Sequence, residues 1–355
     1  MKKQMKILAV LLAVVLTLAM TACAGGNSSS QSEGSSPAAD PDKIYKVGIV
    51  QYMEHNALDA ATEGFMDALK ERLGDKVEFD VQNAQGEQTN CTTIATKLVN
   101  DGVDLIMANA TPAAQAASQA TAEIPIIATS VTDFVEAGLV AANDAPGGNV
   151  SGSSDLSPIA EHIALMGTLC PDAQTIGVVY CSSEDNSIIQ AEQAKVGFEE
   201  AGYTVTLYTA ADSNELQPVL TKAVAEVDAL YIPTDNLLAA NMELVKNITI
   251  PEKIPVICGE ENMAMSGGLA TYSINYYTLG RAAGEMAYEV MVGGADISKM
   301  PVKFMDSSEL TMVINTEVAE ALEWEIPAEL LEAAGLTASE ESETPASDGE
   351  SSAAA

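Results

Sequence analysis

Short apolar runs alternate with stretches of helical period along most of the chain. Val47, Ile49 and Val50 begin the series, as a run of the kind buried on both faces of a parallel sheet. Leu58, Ala61, Phe65 and Leu69 then recur at helical spacing behind Asn56, a residue type suited to an N-cap. The same alternation continues. "KVGIV", "VEFDVQ", "DLIMA" and "IPIIAT" read as strands in the first part, and "TIGVVY", "TVTLYT", "DALYIP", "IPVICG" and "LATYSI" in the second. Helical patterns such as "QTNCTTIATKLVNDG", "DNSIIQAEQAKVGFEEAG" and "LLAANMELVKNI" separate them. Such alternation predicts an α/β chain with parallel sheets covered by helices on both faces, one sheet per lobe.

"APGGNVSGSSDLSPIAEH" interrupts the alternation with Pro146, Gly147 and Gly148, and then offers a short extended segment from Asn149 to Gly152. This predicts a crossover between lobes. Near the end, "YSINYYTLGRAAGEMAYEVMVGG" and "PVKFMDSSELTMVIN" place further extended segments around one long helix. Three crossings follow, so each lobe is built from discontinuous pieces: residues 43–151 with 276–305, and residues 152–275 with 306–337.

The two ends lack this pattern. Lys2, Lys3 and Lys6 precede the apolar stretch "ILAVLLAVVLTLAM" and then "TAC", the order of a signal peptide over residues 1–22. Small residues before Cys23 resemble the lipobox of bacterial lipoproteins, with Met20 where Leu is usual. The resemblance implies acylation at Cys23 and a chain anchored to the outer face of the membrane. Residues 23–42 are rich in Gly, Ser, Ala and Pro and read as a flexible linker after the lipidated cysteine. Residues 338–355 are acidic and poor in apolar residues, a composition that predicts a disordered tail.

Composition removes several functional classes. A net charge of −35 repels nucleic-acid phosphates and anionic lipid headgroups, and no basic patch offsets it. The chain has no CxxC or HExxH, and its two histidines, His55 and His162, are far apart in sequence, so no metal or other cofactor is expected. Cys91, Cys170, Cys181 and Cys258 lie irregularly in or beside apolar runs, which predicts buried free thiols.

Candidate chemistry sits where strands hand over to helices. In open α/β sheets ligands bind at the carboxyl edge of the strands. The first such loop carries Tyr52, Glu54 and His55. Thr111 precedes Pro112 at a helix start suited to a carboxylate. "TSVTDF" brings Ser130 and Thr132, and the second lobe adds Asn186, then Asp235 with Asn236, then Glu260. Any one of these could be an ordinary helix cap. Together they line one edge of both sheets, and facing edges across a hinge form a cleft.

"VQYMEHNALDAATEGF", "QNAQGEQ", "ATPAAQAA", "TSVTDFVEAGLV", "PGGNVSGSSDLSPI", "YIPTDN" and "TYSINYYTLGR" resemble, in that order, the ABC-transporter substrate-binding lipoproteins for tryptophan and related aromatic amino acids. The likeness spans roughly residues 44 to 325. It departs at Asn56, where the family has Pro, and the acidic tail is outside the pattern. The resemblance implies a type I periplasmic-binding-protein fold, two doubly wound parallel-sheet lobes joined by a three-segment hinge. It also implies a monomeric, extracytoplasmic receptor, not an enzyme, that hands an aromatic amino acid to a membrane permease. An α-amino acid needs hydrogen-bond donors for its carboxylate and an anion for its ammonium. Thr111, Ser130 and Thr132 are candidates for the first, and Asp155 or Asp235 for the second. Tyr52 and Tyr272 are candidates to pack against an aromatic side chain. Glu54 and His55 either touch the ligand or pair across the cleft.

Two alternatives remain open at this level. The same fold could hold a nucleoside, a sugar or another amino acid. From a different class, Cys181 at a strand end could act as a nucleophile facing His55.

Overall fold

The computed structural model describes residues 43–336. The expected signal peptide, Cys23, linker and acidic tail lie outside the described residues. The first lobe runs β1 (Tyr45–Gln51), α1 (Asn56–Leu73), β2 (Val77–Asn83), α2 (Gln88–Asp101), β3 (Leu105–Asn109), α3 (Thr111–Ala120), β4 (Ile126–Val131) and β5 (Val150–Ser154). After a crossing come α4 (Ile159–Leu169), β6 (Thr175–Cys181), α5 (Asp185–Glu200), β7 (Thr204–Ala210), α6 (Ser213–Val224) and β8 (Ala229–Ile232). α7 (Asn236–Ala239), α8 (Met242–Thr249), β9 (Val256–Cys258), α9 (Glu261–Ser266) and β10 (Ala270–Ser273) complete this passage. The chain then returns for α10 (Tyr276–Met291) and β11 (Lys303–Phe304), and crosses a third time to β12 (Thr311–Ile314), α11 (Thr316–Leu322) and α12 (Ala328–Ala333).

Two six-stranded sheets result, in the orders β11-β5-β4-β3-β1-β2 and β12-β10-β9-β8-β6-β7. Every pairing is parallel except that of β10 with β12. In each sheet the lobe's first strand lies between its second and third, so winding reverses beside β1 and beside β6. Those switch points open crevices at the carboxyl edge. The strands are apolar on both faces because helices cover both. Val47 and Ile49 pack with Phe65, Leu69 and Met107 on one side, while Val50 packs with Leu58, Leu98 and Ile106 on the other. Val178 with Tyr231 and Val179 with Leu230 divide the second sheet in the same way.

The return of α10 to the first lobe rests on close backbone contact. A Cβ on Gly280 would come within 1.9 Å of the Ala61 carbonyl oxygen, and one on Gly64 within 2.1 Å of that of Tyr277. Only glycine at both positions lets α10 lie this near α1. β11 then extends the first sheet beside β5, and β12 closes the edge of the second.

Four local expectations change. The first lobe does not end at residue 151: Val150, Ser151 and Gly152 pair with Ile126, Ile127 and Ala128, so β5 continues to Ser154 before the chain leaves. Asn56 is the first residue of α1, and extended His55 takes the N-cap position without a capping side-chain bond. At α3 the N-cap is Ala110, with Thr111 one residue inside. The pattern of "LLAANMELVKNI" is divided into α7 and α8 at Ala240 and Asn241.

Candidate functional site

A narrow cavity lies between the two carboxyl edges. His55, Ala57, Leu58, Ser130 and Thr132 line it from the first lobe, and Asn186, Thr234, Asp235, Asn236, Ala239, Glu260 and Met263 from the second. Asp155 and Tyr276 complete it at two of the crossings. The Tyr276 hydroxyl donates to Asp155 Oδ2 at 2.7 Å and so ties those crossings together.

The backbone aims some of these groups at a cost. Ser130 has φ 55, and the β4–β5 register shifts between Ala128 and Val131. A non-glycine residue held in the left-handed region carries strain of about 1–3 kcal/mol. Here the resulting bulge turns the Ser130 side chain to the cavity, where its buried Oγ has no partner among the described residues. Helix starts supply other groups. Asp235 caps α7 by accepting from Leu238 N–H at 2.8 Å, and Glu260 caps α9 by accepting from Asn262 and Met263 N–H, each at 2.7 Å.

Hydrogen bonds cross between the lobes. Gln190 Nε2 donates to Thr132 Oγ1 at 3.1 Å. His55 Nε2 lies 3.2 Å from Asn236 Oδ1, and Gln115 Nε2 donates to Asp185 Oδ2 at 3.1 Å. These contacts exist only while the lobes are together.

The cavity is acidic. Among the described residues no Lys or Arg lines it, whereas Asp155, Asp235 and Glu260 do. Burial raises all three carboxyls above their ordinary range, Glu260 to about 7. Glu184, buried just behind, is raised by burial and then by the charge of Asp235. His55 is lowered by burial to about 4, only partly offset by its bond to Asn236, so its ring is neutral near pH 7. The acids differ in how well they are satisfied. Asp235 accepts two backbone N–H groups, from Cys181 at 2.5 Å and Leu238 at 2.8 Å. Asp155 accepts side-chain hydroxyls, from Tyr276 at 2.7 Å and Thr132 at 3.3 Å. A buried carboxylate held by neutral hydroxyls has capacity for a cationic donor.

The sequence-predicted residues divide accordingly. The cavity brings together His55, Ser130, Thr132, Asp155, Asn186, Asp235, Asn236 and Glu260. Glu54 is exposed and borders an outer recess shared with His55 and Asn56. Tyr52 is buried in the first lobe's core, behind the cavity wall. Thr111 is also buried off the cavity, with Oγ1 unpartnered. Tyr272 is a correction. It lies in β10 and packs against the second lobe's core, with its carbonyl accepting from His162 Nε2 at 2.7 Å. Tyr276, four residues on, lines the cavity instead. Sequence reading also missed Glu184, Gln190, Thr234 and Met263. Glu184 and Gln190 belong to a helix that reads as a solvated surface, and neither Thr234 nor Met263 departs from its local pattern.

Cys91, Cys170, Cys181 and Cys258 are free and buried. Burial and the nearby acids Asp235 and Glu184 push the Cys181 thiol up to about 12, opposite to the activation that a nucleophile needs.

Residues 46–338 match the model of the family described as ABC transporter substrate binding protein. A tyrosine-binding protein of Clostridioides difficile (strain R20291) is 40% identical over 326 residues, which is 91% of this chain and 94% of that protein. The crystal structure of an ABC domain in complex with L-Trp from Streptococcus pneumonia superposes with a TM-score of 0.78 at 36% identity, over 82% of this chain and 100% of that one. The ligand-free, open structure of a substrate binding protein with adhesive properties from Clostridium difficile gives 0.63 at 40% identity, over 80% and 97%. The less identical of these two structures superposes better. The fold, the interlobe cavity and these likenesses agree: the chain belongs to the ABC transporter substrate-binding protein family.

Proposed function

We propose that this protein captures an aromatic L-amino acid in the interlobe cavity and delivers it to the permease of an ABC importer. ABC substrate-binding proteins are extracytoplasmic receptors, and relatives that bind tyrosine and tryptophan support the ligand class. The observation that carries the reading is Asp155. It is buried at the hinge, its side-chain partners are the hydroxyls of Thr132 and Tyr276, and it faces a cavity without Lys or Arg among the described residues. An α-ammonium supplies the missing positive charge. Ser130 Oγ, beside it and unpartnered, serves the α-carboxylate, with Thr132 as a second hydroxyl. Ala57, Leu58, Ala239, Met263 and the ring of Tyr276 provide apolar area for an aromatic side chain. Neither a sugar nor a nucleoside carries an ammonium group, so both leave Asp155 without its counterion.

The two lobes act as rigid bodies about the three crossings, and the ligand favours the closed arrangement by its contacts to both. Attachment through an acylated Cys23 keeps the monomeric receptor near its permease. Cys23→Ala is then found in the soluble fraction of the producing cell, whereas continued fractionation with membranes rules the anchor out.

Thermal denaturation with a panel of L-amino acids, sugars and nucleosides tests the ligand class. A ligand at a hundred times its Kd stabilises by about 2.7 kcal/mol, which raises Tm visibly. Shifts confined to tyrosine, tryptophan or phenylalanine are expected. A shift with a sugar or nucleoside and none with these three contradicts the reading.

A further inference from the structure

Glu184, at the start of α5, receives the amide N–H of Leu237 at 3.2 Å on Oε1 and that of Asn236 at 3.4 Å on Oε2. The side-chain Nδ2 of Asn236 also donates to Oε2, at 2.5 Å. This orients the Asn236 amide: its nitrogen faces Glu184, and its oxygen faces His55 Nε2 at 3.2 Å. An amide oxygen can only accept, so Nε2 carries the imidazole proton. Nδ1 is therefore left as a bare acceptor. It is buried and has no partner among the described residues.

His55 is one of the side chains that line the cavity. The lining also holds the apolar Ala57, Leu58, Ala239 and Met263, whereas Asp155 is bonded into a separate group with Thr132 and Tyr276. A ligand whose ammonium pairs with Asp155 directs its side chain away from that group, towards the apolar lining residues. Besides the hydroxyl of Ser130, two lining residues carry a buried acceptor without a partner among the described residues, His55 at Nδ1 and Asn186 at Oδ1, and of the two His55 is the neighbour of the apolar Ala57 and Leu58 in the chain.

We propose that His55 Nδ1 is a specificity-determining acceptor for an N–H or O–H group on the ligand's aromatic ring, so that the cavity selects tyrosine or tryptophan over phenylalanine. The inference rests on the reading of the cavity as an aromatic amino acid site. A phenol or an indole satisfies the acceptor. Phenylalanine fills the same apolar space and leaves a buried lone pair without a partner, a mismatch that lowers affinity by about tenfold to a hundredfold. Glu184 and Asn236 act through His55 as positioning residues, since they set its tautomer.

Calorimetric titration of wild type, His55→Leu and His55→Asn with L-tyrosine, L-tryptophan and L-phenylalanine tests this. In wild type, phenylalanine binds about tenfold to a hundredfold more weakly than the tighter of the other two. His55→Leu keeps an apolar wall without an acceptor and brings the Kd values for phenylalanine and the preferred ligand within about threefold, by weakening the preferred one. His55→Asn restores an acceptor near the Nδ1 position and recovers part of the discrimination, which also shows that the site is intact. Equal wild-type affinity for phenylalanine overturns the inference. So does an equal loss for all three ligands in His55→Leu, which would place the contact on the shared amino acid head or in lobe closure. If wild type binds none of the three, the ligand class itself fails and the inference fails with it.

Discussion

Asp155 and Asp235 are chemically identical side chains with different duties, and the difference is in their partners. Both oxygens of Asp235 are engaged by backbone N–H groups, so it stabilises the start of α7. Asp235→Ala removes that cap at a cost of about 0.5–2 kcal/mol in unfolding free energy. Asp155 is held by the side-chain hydroxyls of Thr132 and Tyr276, and Asp155→Ala leaves the ligand's ammonium unpaired, a loss of about 2–5 kcal/mol in binding. Calorimetry alongside urea denaturation separates the two, and a larger binding loss in the Asp235 variant contradicts the assignment. Sequence alone could not choose between them, because a hydrogen-bond acceptor's spare capacity depends on which backbone N–H groups the fold brings to it. For the tyrosines the obstacle was direction. Tyr272 is in a strand and turns to the core, while Tyr276 follows the Asn275 cap of α10 and turns to the cavity. His162 gives a second test at this scale. It donates through Nε2 to the Tyr272 carbonyl and lies 3.1 Å through Nδ1 from the Tyr231 hydroxyl, and burial lowers it from 6.5 to about 4. The unfolded chain binds more protons between those values, so this contribution is complete above about pH 6.5 and is lost as pH falls towards 4. Relative to His162→Phe, wild type therefore loses stability over that interval, on the order of 3 kcal/mol. Parallel pH profiles for the two proteins contradict this.

At the scale of elements, the apolar pattern made most strands and helices legible, because burial on both faces of a parallel sheet leaves continuous runs of apolar residues. What stayed hidden were contacts set by backbone proximity. The glycines of "LGRAAGEMA", Gly280 and Gly284, stand four apart on one helix face, and with Gly64 they let α10 and α1 touch. Gly280→Ala forces the helices apart and costs about 1–3 kcal/mol of stability. Gly167→Ala is the contrasting case. In α4 its added Cβ meets no atom nearer than the Tyr203 hydroxyl at 3.4 Å, so helix propensity dominates and the change stabilises by about 0.5–1 kcal/mol. Denaturant midpoints of both variants at unchanged slope check the pair, and equal effects of the same sign contradict it. The end of β5 was misjudged for a related reason. The segment from Asn149 to Gly152 reads as extended but short, and the pairing of Ser154 with Val131 carries it further in the sheet.

For the whole molecule, the question is what holds the lobes together. Gln190 reaches from the second lobe to Thr132 in the first, a bond that opening must break. Gln190→Ala removes about 0.5–1.5 kcal/mol of closed-state contact and acts chiefly by speeding ligand release, since affinity changes within one interface fall mostly on the dissociation rate. Stopped-flow measurement reads this directly, and a variant altered only in association rate contradicts it. The two-lobe plan was legible from the chain's alternation and its three crossings. Gln190 was not, because its role appears only when a helix of one lobe meets a loop of the other. The central claim is that a closed, acidic cavity holds an aromatic amino acid by its ammonium at Asp155. Calorimetric comparison of L-tyrosine with its des-amino analogue, which keeps the ring, hydroxyl and carboxylate, tests it most directly. The account predicts that L-tyrosine binds and that loss of the ammonium weakens affinity by about a hundredfold or more, the lower part of the range for an unpaired buried charge. Equal binding of the two compounds, or no binding of L-tyrosine and the other aromatic amino acids, would contradict it.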